Sequence, residues 1–156
     1  MKNQSVSKND VALLMIRGIV GVVFLFHGSQ KLFGAFDGPG IAGMAGFNES
    51  LGIPFPVLSA WLASLTEFAG GAALLTGVGQ RLISVPLAFT MLVASFVAHG
   101  GAFSAQAGGM EYPLTLTIIV AALGIAGPGS LTVLNALANR AKSSTVSTTQ
   151  AHPATR

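Results

Sequence analysis

Residues 57–78 read VLSAWLASLTEFAGGAALLTGV, a run whose only charged position is Glu67. At about 1.5 Å per residue, a helix of this length covers roughly 33 Å, enough for a hydrocarbon layer of about 30 Å. Backbone groups in lipid must bond within their own segment, so the run reads as a transmembrane helix. The carboxylate near its middle is the anomaly.

Three comparable runs lie around it. Residues 11–33 are apolar as far as Phe26 apart from Arg17, and the pattern extends through His27 and Lys31 to Phe33. Residues 82–98 carry no charge and end at His99-Gly100-Gly101. The fourth run, 113–127, follows Glu111 and Tyr112 and stops at Gly127-Pro128-Gly129. The expected fold is all-α: an integral membrane bundle of four transmembrane helices in one domain, 11–139. A short segment, 1–10, precedes it. The Ser/Thr/Ala-rich tail, 140–156, reads as disordered. Residues 131–138 read as a further helical piece, either at the interface or continuing the fourth span.

Composition agrees with a membrane location. The chain of 156 residues is 51% hydrophobic and 8% charged, with a mean hydropathy of +0.69. Soluble domains carry about 25% charged residues, so the ions that would cover a water-facing surface are missing. The net charge of +3 is no nucleic-acid footprint, because the basic residues are scattered and mostly flank apolar runs as topology signals. The chain has no cysteine. Disulfides, thiol chemistry, iron–sulfur clusters and cysteine zinc sites are thereby excluded. A cleaved signal peptide would suit Lys2 and Lys8, but Arg17 and the lack of a small-residue cleavage site after Phe26 favour a retained helix.

With both termini cytoplasmic, that side holds Lys2, Lys8, Arg81, Arg140, Lys142 and Arg156, and the other holds Lys31. Basic residues gather on the cytoplasmic side, so both termini are expected there. The first outer loop, 34–55, is Gly-rich, aromatic and long, and reads as a lid over whatever the helices enclose. Close helix contacts are expected at Gly18 and Gly21, and at Ala69, Ala73 and Gly77, which recur every four residues.

Charges inside hydrocarbon are costly, so they usually face inward, find partners and serve function. His27, Lys31, His99 and Glu111 come from three spans and share a depth near the outer boundary. Glu67 lies below them, and Arg17 below that. Each has a plain reading too: Lys31 and Arg17 snorkelling, Glu111 as a helix cap, the histidines as ordinary interfacial residues. Glu67 is too deep for that. It must be protonated or paired, with Arg17 and Lys31 as the charged candidates. Glu67, His27, Lys31 and His99 are therefore the candidate catalytic or proton-relay cluster, with Arg17 and Glu111 as structural or ligand-binding residues.

These residues also carry a resemblance. Arg-Gly at 17–18, Phe-His-Gly-Ser-Gln-Lys at 26–31, Glu67 followed by Gly70-Gly71, His99 after Val-Ala, and Glu-Tyr-Pro-Leu at 111–114 resemble the DoxX family over nearly all of 15–127. The resemblance implies a four-helix protein of the bacterial inner membrane. It also implies kinship with the quinone-linked thiosulfate oxidoreductase subunit DoxD and the methylamine-utilisation protein MauE.

Two functions compete. The leading one is a membrane subunit of a quinone-linked or other redox system, an oxidoreductase subunit in which a bound quinone meets the polar cluster. No Gly-x-Gly-x-x-Gly follows a strand and no cysteine is present, so electrons would come from a soluble redox partner or a bound substrate. The alternative is a small-molecule or proton transporter, or a binding protein, without redox activity. With four spans and no internal repeat it would need a homo-oligomer. Haem held by His27 and His99 is disfavoured, and no helical ligand pair supports a metal at His27, His99 and Glu111.

Overall fold

The computed structural model describes residues 6–150. Among them there is no strand. Helix α1 spans Lys8–Phe33 and starts three residues before the expected run. A capping box explains the extension. Ser7 Oγ accepts from the Asp10 backbone N–H at 3.1 Å, and Asp10 Oδ2 accepts from the Ser7 N–H at 3.0 Å. The helix stops at Gly34, whose φ of +69° lies in the left-handed region.

The loop 34–55 is not open chain. It contains α2, Gly40–Ser50, which packs along α3 and also touches α1. Asn48 is buried there, and its Nδ2 donates to Ser59 Oγ at 2.9 Å. The lid expected from 34–55 is thus a helix docked on the flank. Helix α3, Pro56–Thr76, begins with proline at a position that needs no N–H. Helix α4, Gln80–Val93, runs on into a wider π turn, Ala94–Ala98. Helix α5 spans Glu111–Ala126.

Helix α6, Val133–Gln150, takes in residues 140–150 of the segment read as a tail. No glycine or proline interrupts 131–150, and Leu134, Ala136, Leu137, Ala138 and Arg140 all favour helix. The rest of that tail, 151–156, lies outside the described residues. Nor does this helix continue α5, since Gly127 and Gly129 turn the chain with φ of +81° and +72°.

Among the described residues, three helices are long and apolar enough to cross a membrane: α1, α3, and α4 with its π turn. The fourth, α5, is apolar and, at 16 residues, shorter. Helices α1 and α3 run antiparallel in intimate contact. A Cβ on Gly28 would lie 2.6 Å from Phe68 N, and one on Gly71 2.5 Å from Leu25 N. Only hydrogen side chains allow backbones this close. Of the expected contacts, Gly21 packs on Gly71 and Leu75 and Gly77 meets Arg17, whereas Ala69 is exposed and Gly18 meets nothing. The buried stripe of α3 instead contains Ala60, Ser64, Glu67, Gly71 and Leu74, spaced by three and four. Helices α4 and α5 also run antiparallel, with Ser84 against Gly124. Phe24, Leu74, Leu87 and Val120, one from each long helix, meet in the core.

Candidate functional site

The close approach at Gly28 positions the site. Gly28 lies one turn before Lys31, and its neighbour Phe68 follows Glu67, so the two charged side chains face each other across the helix pair. Lys31 Nζ lies 2.5 Å from Glu67 Oε1. Glu67 is 1% exposed, and its Oε2 has no hydrogen-bond partner. From the C-terminal end of α3, Glu67 stands about 14 Å along the axis, near mid-span. Of the two candidate partners named from the sequence, Lys31 makes the ion pair.

Arg17 is elsewhere, near the opposite end of α1. Its Nη1 donates to the carbonyls of Leu74 at 2.9 Å and Leu75 at 3.2 Å, and its Nη2 donates to Leu131 O. Leu74 and Leu75 belong to the last turn of α3, whose carbonyls have no intrahelical donors. Arg17 therefore caps α3 and complements the negative end of its dipole. It is 1% exposed. Arg17 has no contact with Glu67.

The histidines are each held at one ring nitrogen. Gln30 donates through Nε2 to Phe36 O at 3.4 Å, which turns its Oε1 towards His27. His27 Nδ1 donates to that oxygen at 3.2 Å. His99 follows the π turn, and its backbone N–H reaches Ala94 O, five residues back, at 3.1 Å. Such widened turns re-aim side chains and recur at functional sites. His99 Nδ1 donates to Gly108 O at 2.8 Å. A neutral imidazole has one N–H, so each ring keeps Nε2 as its exchangeable nitrogen.

A cavity of about 460 Å³ lies among α1, α3, α4 and α5. His27, Lys31, Glu67 and His99 all line it, and Phe24, Met91 and Leu116 form apolar wall. Its outer cover is the second loop, through Ala105, Gly108 and Gly109, rather than 34–55. Glu111 does not line the cavity. Its Oε2 accepts from the Ala105 N–H at 3.0 Å, and its own N–H donates to Phe103 O at 2.9 Å. It anchors the covering loop to the start of α5. Among the described residues no three His, Asp or Glu side chains are grouped to hold one metal ion.

Two further polar residues escaped the sequence reading. Tyr112, the sole tyrosine, lines the cavity one residue after Glu111. Its depth beside His99 was a usable signal. Ser64 sits one turn from Glu67 on the buried stripe, and its hydroxyl has no partner. The hydroxyls of the buried residues Ser84, Ser95 and Thr117 each donate to the carbonyl four residues back. No sequence signal separates Ser64 from those.

Comparisons with known proteins bear on this site. Inner membrane protein YqjF of Escherichia coli (strain K12) is 29% identical over 126 residues, covering 80% of this chain and 90% of that protein. The protein named "Putative oxidoreductase CatD" of Bacillus subtilis (strain 168) is 28% identical over 114 residues, 73% of this chain and 79% of that one. No solved structure matches. A family model described as DoxX matches residues 12–100, a stretch that takes in Arg17, His27, Lys31, Glu67 and His99 and stops short of 111–114. That match covers more than half of the 156 residues, and the chain belongs to the DoxX family.

Proposed function

We propose that this protein is an inner-membrane subunit of a redox system and that its central cavity takes a quinone headgroup. The observation that carries the reading is the Lys31–Glu67 pair opening onto a cavity that both histidines line. Ligand sites are concave and largely apolar with a few convergent polar groups, and this cavity has that character. One relative, CatD, has the word oxidoreductase in its name.

The donor set suits a quinone. A bound quinone would supply reversible uptake of two electrons and two protons at its carbonyl oxygens. His99, held through Nδ1, accepts a proton at Nε2 when neutral and donates from it when charged. His27 is held the same way. The Tyr112 hydroxyl is a third donor beside the cavity. Lys31 pairs with Glu67 beside the headgroup position, and Glu67 stands near mid-span, where water is scarce. The apolar wall of Phe24, Met91 and Leu116 excludes water from the headgroup. With no cysteine in the chain, electrons arrive from a soluble partner protein or from a bound substrate.

The test is quinone binding by the folded full-length protein in lipid nanodiscs. Quinone should be extracted from purified protein in stoichiometric amount, and a short-chain quinone should bind saturably. Glu67→Gln and His99→Ala should each weaken that binding about tenfold or more, as expected for losing a hydrogen bond to a desolvated polar group. Solute uptake by proteoliposomes without any redox change would replace this reading with that of a transporter.

A further inference from the structure

A second cavity, of about 440 Å³, opens at the other end of the bundle, between α1, the last turn of α3 and the segment leading into α6. Arg17 lines it. No carboxylate lies within ion-pair distance of Arg17 among the described residues. The guanidinium meets three carbonyl oxygens, and its Nε bonds to nothing. Ser130 Oγ, also buried and unpartnered, lines the same cavity, and Asn139 adds an amide. A buried guanidinium whose charge is answered only by dipoles is an incomplete pair.

The surroundings indicate what completes it. Asp10 lies near Ser130, but its carboxylate is taken: Oδ1 accepts from the Ser130 N–H at 2.7 Å, and Oδ2 from the Ser7 N–H and hydroxyl. Lys8 begins α1 and Arg81 lies in the first turn of α4 at this same end, so the local field is positive. Depth fits as well. Arg17 meets the last turn of a helix about 31 Å long, which puts the cavity at headgroup level. Leu14, Leu75 and Val133 give it an apolar side for the start of an acyl chain.

We propose that this cavity binds the phosphate of an anionic membrane lipid. Arg17 supplies the charge, and Ser130 and Asn139 supply hydrogen-bond donors. Basic recesses between membrane helices take anionic headgroups through this chemistry. The site is independent of the quinone reading.

The test uses full-length protein in nanodiscs of equal phosphatidylglycerol and phosphatidylcholine, with retained lipid read by native mass spectrometry. Phosphatidylglycerol should be retained about fivefold over phosphatidylcholine, the ratio expected for roughly one favourable charge contact. Asn139→Asp places a negative charge in the cavity without touching the Arg17 bonds, and should abolish the preference with unchanged thermal unfolding. Arg17→Gln should abolish it as well, and if that variant fails to fold, Asn139→Asp decides. Equal retention of both lipids by the unaltered protein overturns the proposal. So does displacement of phosphatidylglycerol by millimolar inorganic phosphate, which would assign the cavity to soluble phosphate.

Discussion

Lys31 Nζ and Glu67 Oε1 lie 2.5 Å apart, with the lysine side chain 25% exposed and the glutamate side chain 2%. The inequality makes Glu67 the costly partner to leave alone. Lysine can retreat along its methylene stem towards the nearer interface. A carboxylate at mid-span has nowhere to go.

Lys31→Met should therefore destabilise the protein by roughly 2–3 kcal/mol, below the full cost of breaking a wholly buried pair because the lysine is partly screened. Adding Glu67→Gln should recover most of that loss, since the stranded charge is then gone. Reversible unfolding in mixed micelles measures both, and a double-mutant cycle isolates the coupling. Strict additivity of the two substitutions would mean the pair contributes nothing.

Much of the fold was legible because the bilayer imposes a simple rule. Apolar runs long enough to cross must be helices, so the spans around Arg17, Glu67 and His99 could be read from hydropathy alone. The relation between spans could not. Hydrophobic character does not say which face of α3 meets α1, and the four-residue recurrence of Ala69, Ala73 and Gly77 does not follow it: Gly77 meets Arg17, while Ala69 is exposed. The site was legible to the extent that depth decides contact. His27, Lys31, Glu67 and His99 share a cavity. Arg17 and Glu111 serve helix ends, where each answers backbone groups that hydropathy cannot count. The helix inside 34–55 was hidden because Gly40, Gly43 and Gly46 read as loop until α1 and α3 offer a surface.

The glycine face gives a sharp contrast. In Gly28→Ala and Gly71→Ala the new methyl meets backbone atoms of the facing helix at 2.6 and 2.5 Å, and backbone cannot rotate away. Each should cost about 1–3 kcal/mol or more, with the helix pair forced apart. Gly18→Ala faces open space, and should be neutral or gain up to about 1 kcal/mol from helix propensity. Thermal unfolding of the three variants in one detergent tests this. Equal effects at 18 and 28 would contradict the α1–α3 register.

Arg17 caps α3 through geometry that a point charge cannot copy. Its planar fork spans three carbonyls from two segments. Arg17→Lys should keep one of those bonds and lose about 1–3 kcal/mol, and Arg17→Met should lose more. Hydrogen exchange should report the change locally, with faster exchange at Thr76 and Gly77 and little change in α2. If exchange rises uniformly over the whole chain, the residue is not acting as a local cap.

Ser64 separates stability from function. A buried hydroxyl without a partner is unfavourable in itself, so Ser64→Ala should hold or raise stability by up to about 1 kcal/mol. Ser84→Ala removes a hydroxyl that already bonds to Gln80 O, and should do neither. Yet Ser64 lies one turn from Glu67 Oε2, the other unpartnered oxygen on that stripe. Two unpartnered polar atoms one turn apart on a buried stripe are costly unless a bound molecule or a transferred proton uses them. Ser64→Ala should therefore weaken quinone binding severalfold while the protein unfolds no earlier, and Ser64→Thr should restore part of the loss. A Ser64→Ala protein that is less stable and binds quinone normally would assign this hydroxyl to packing alone.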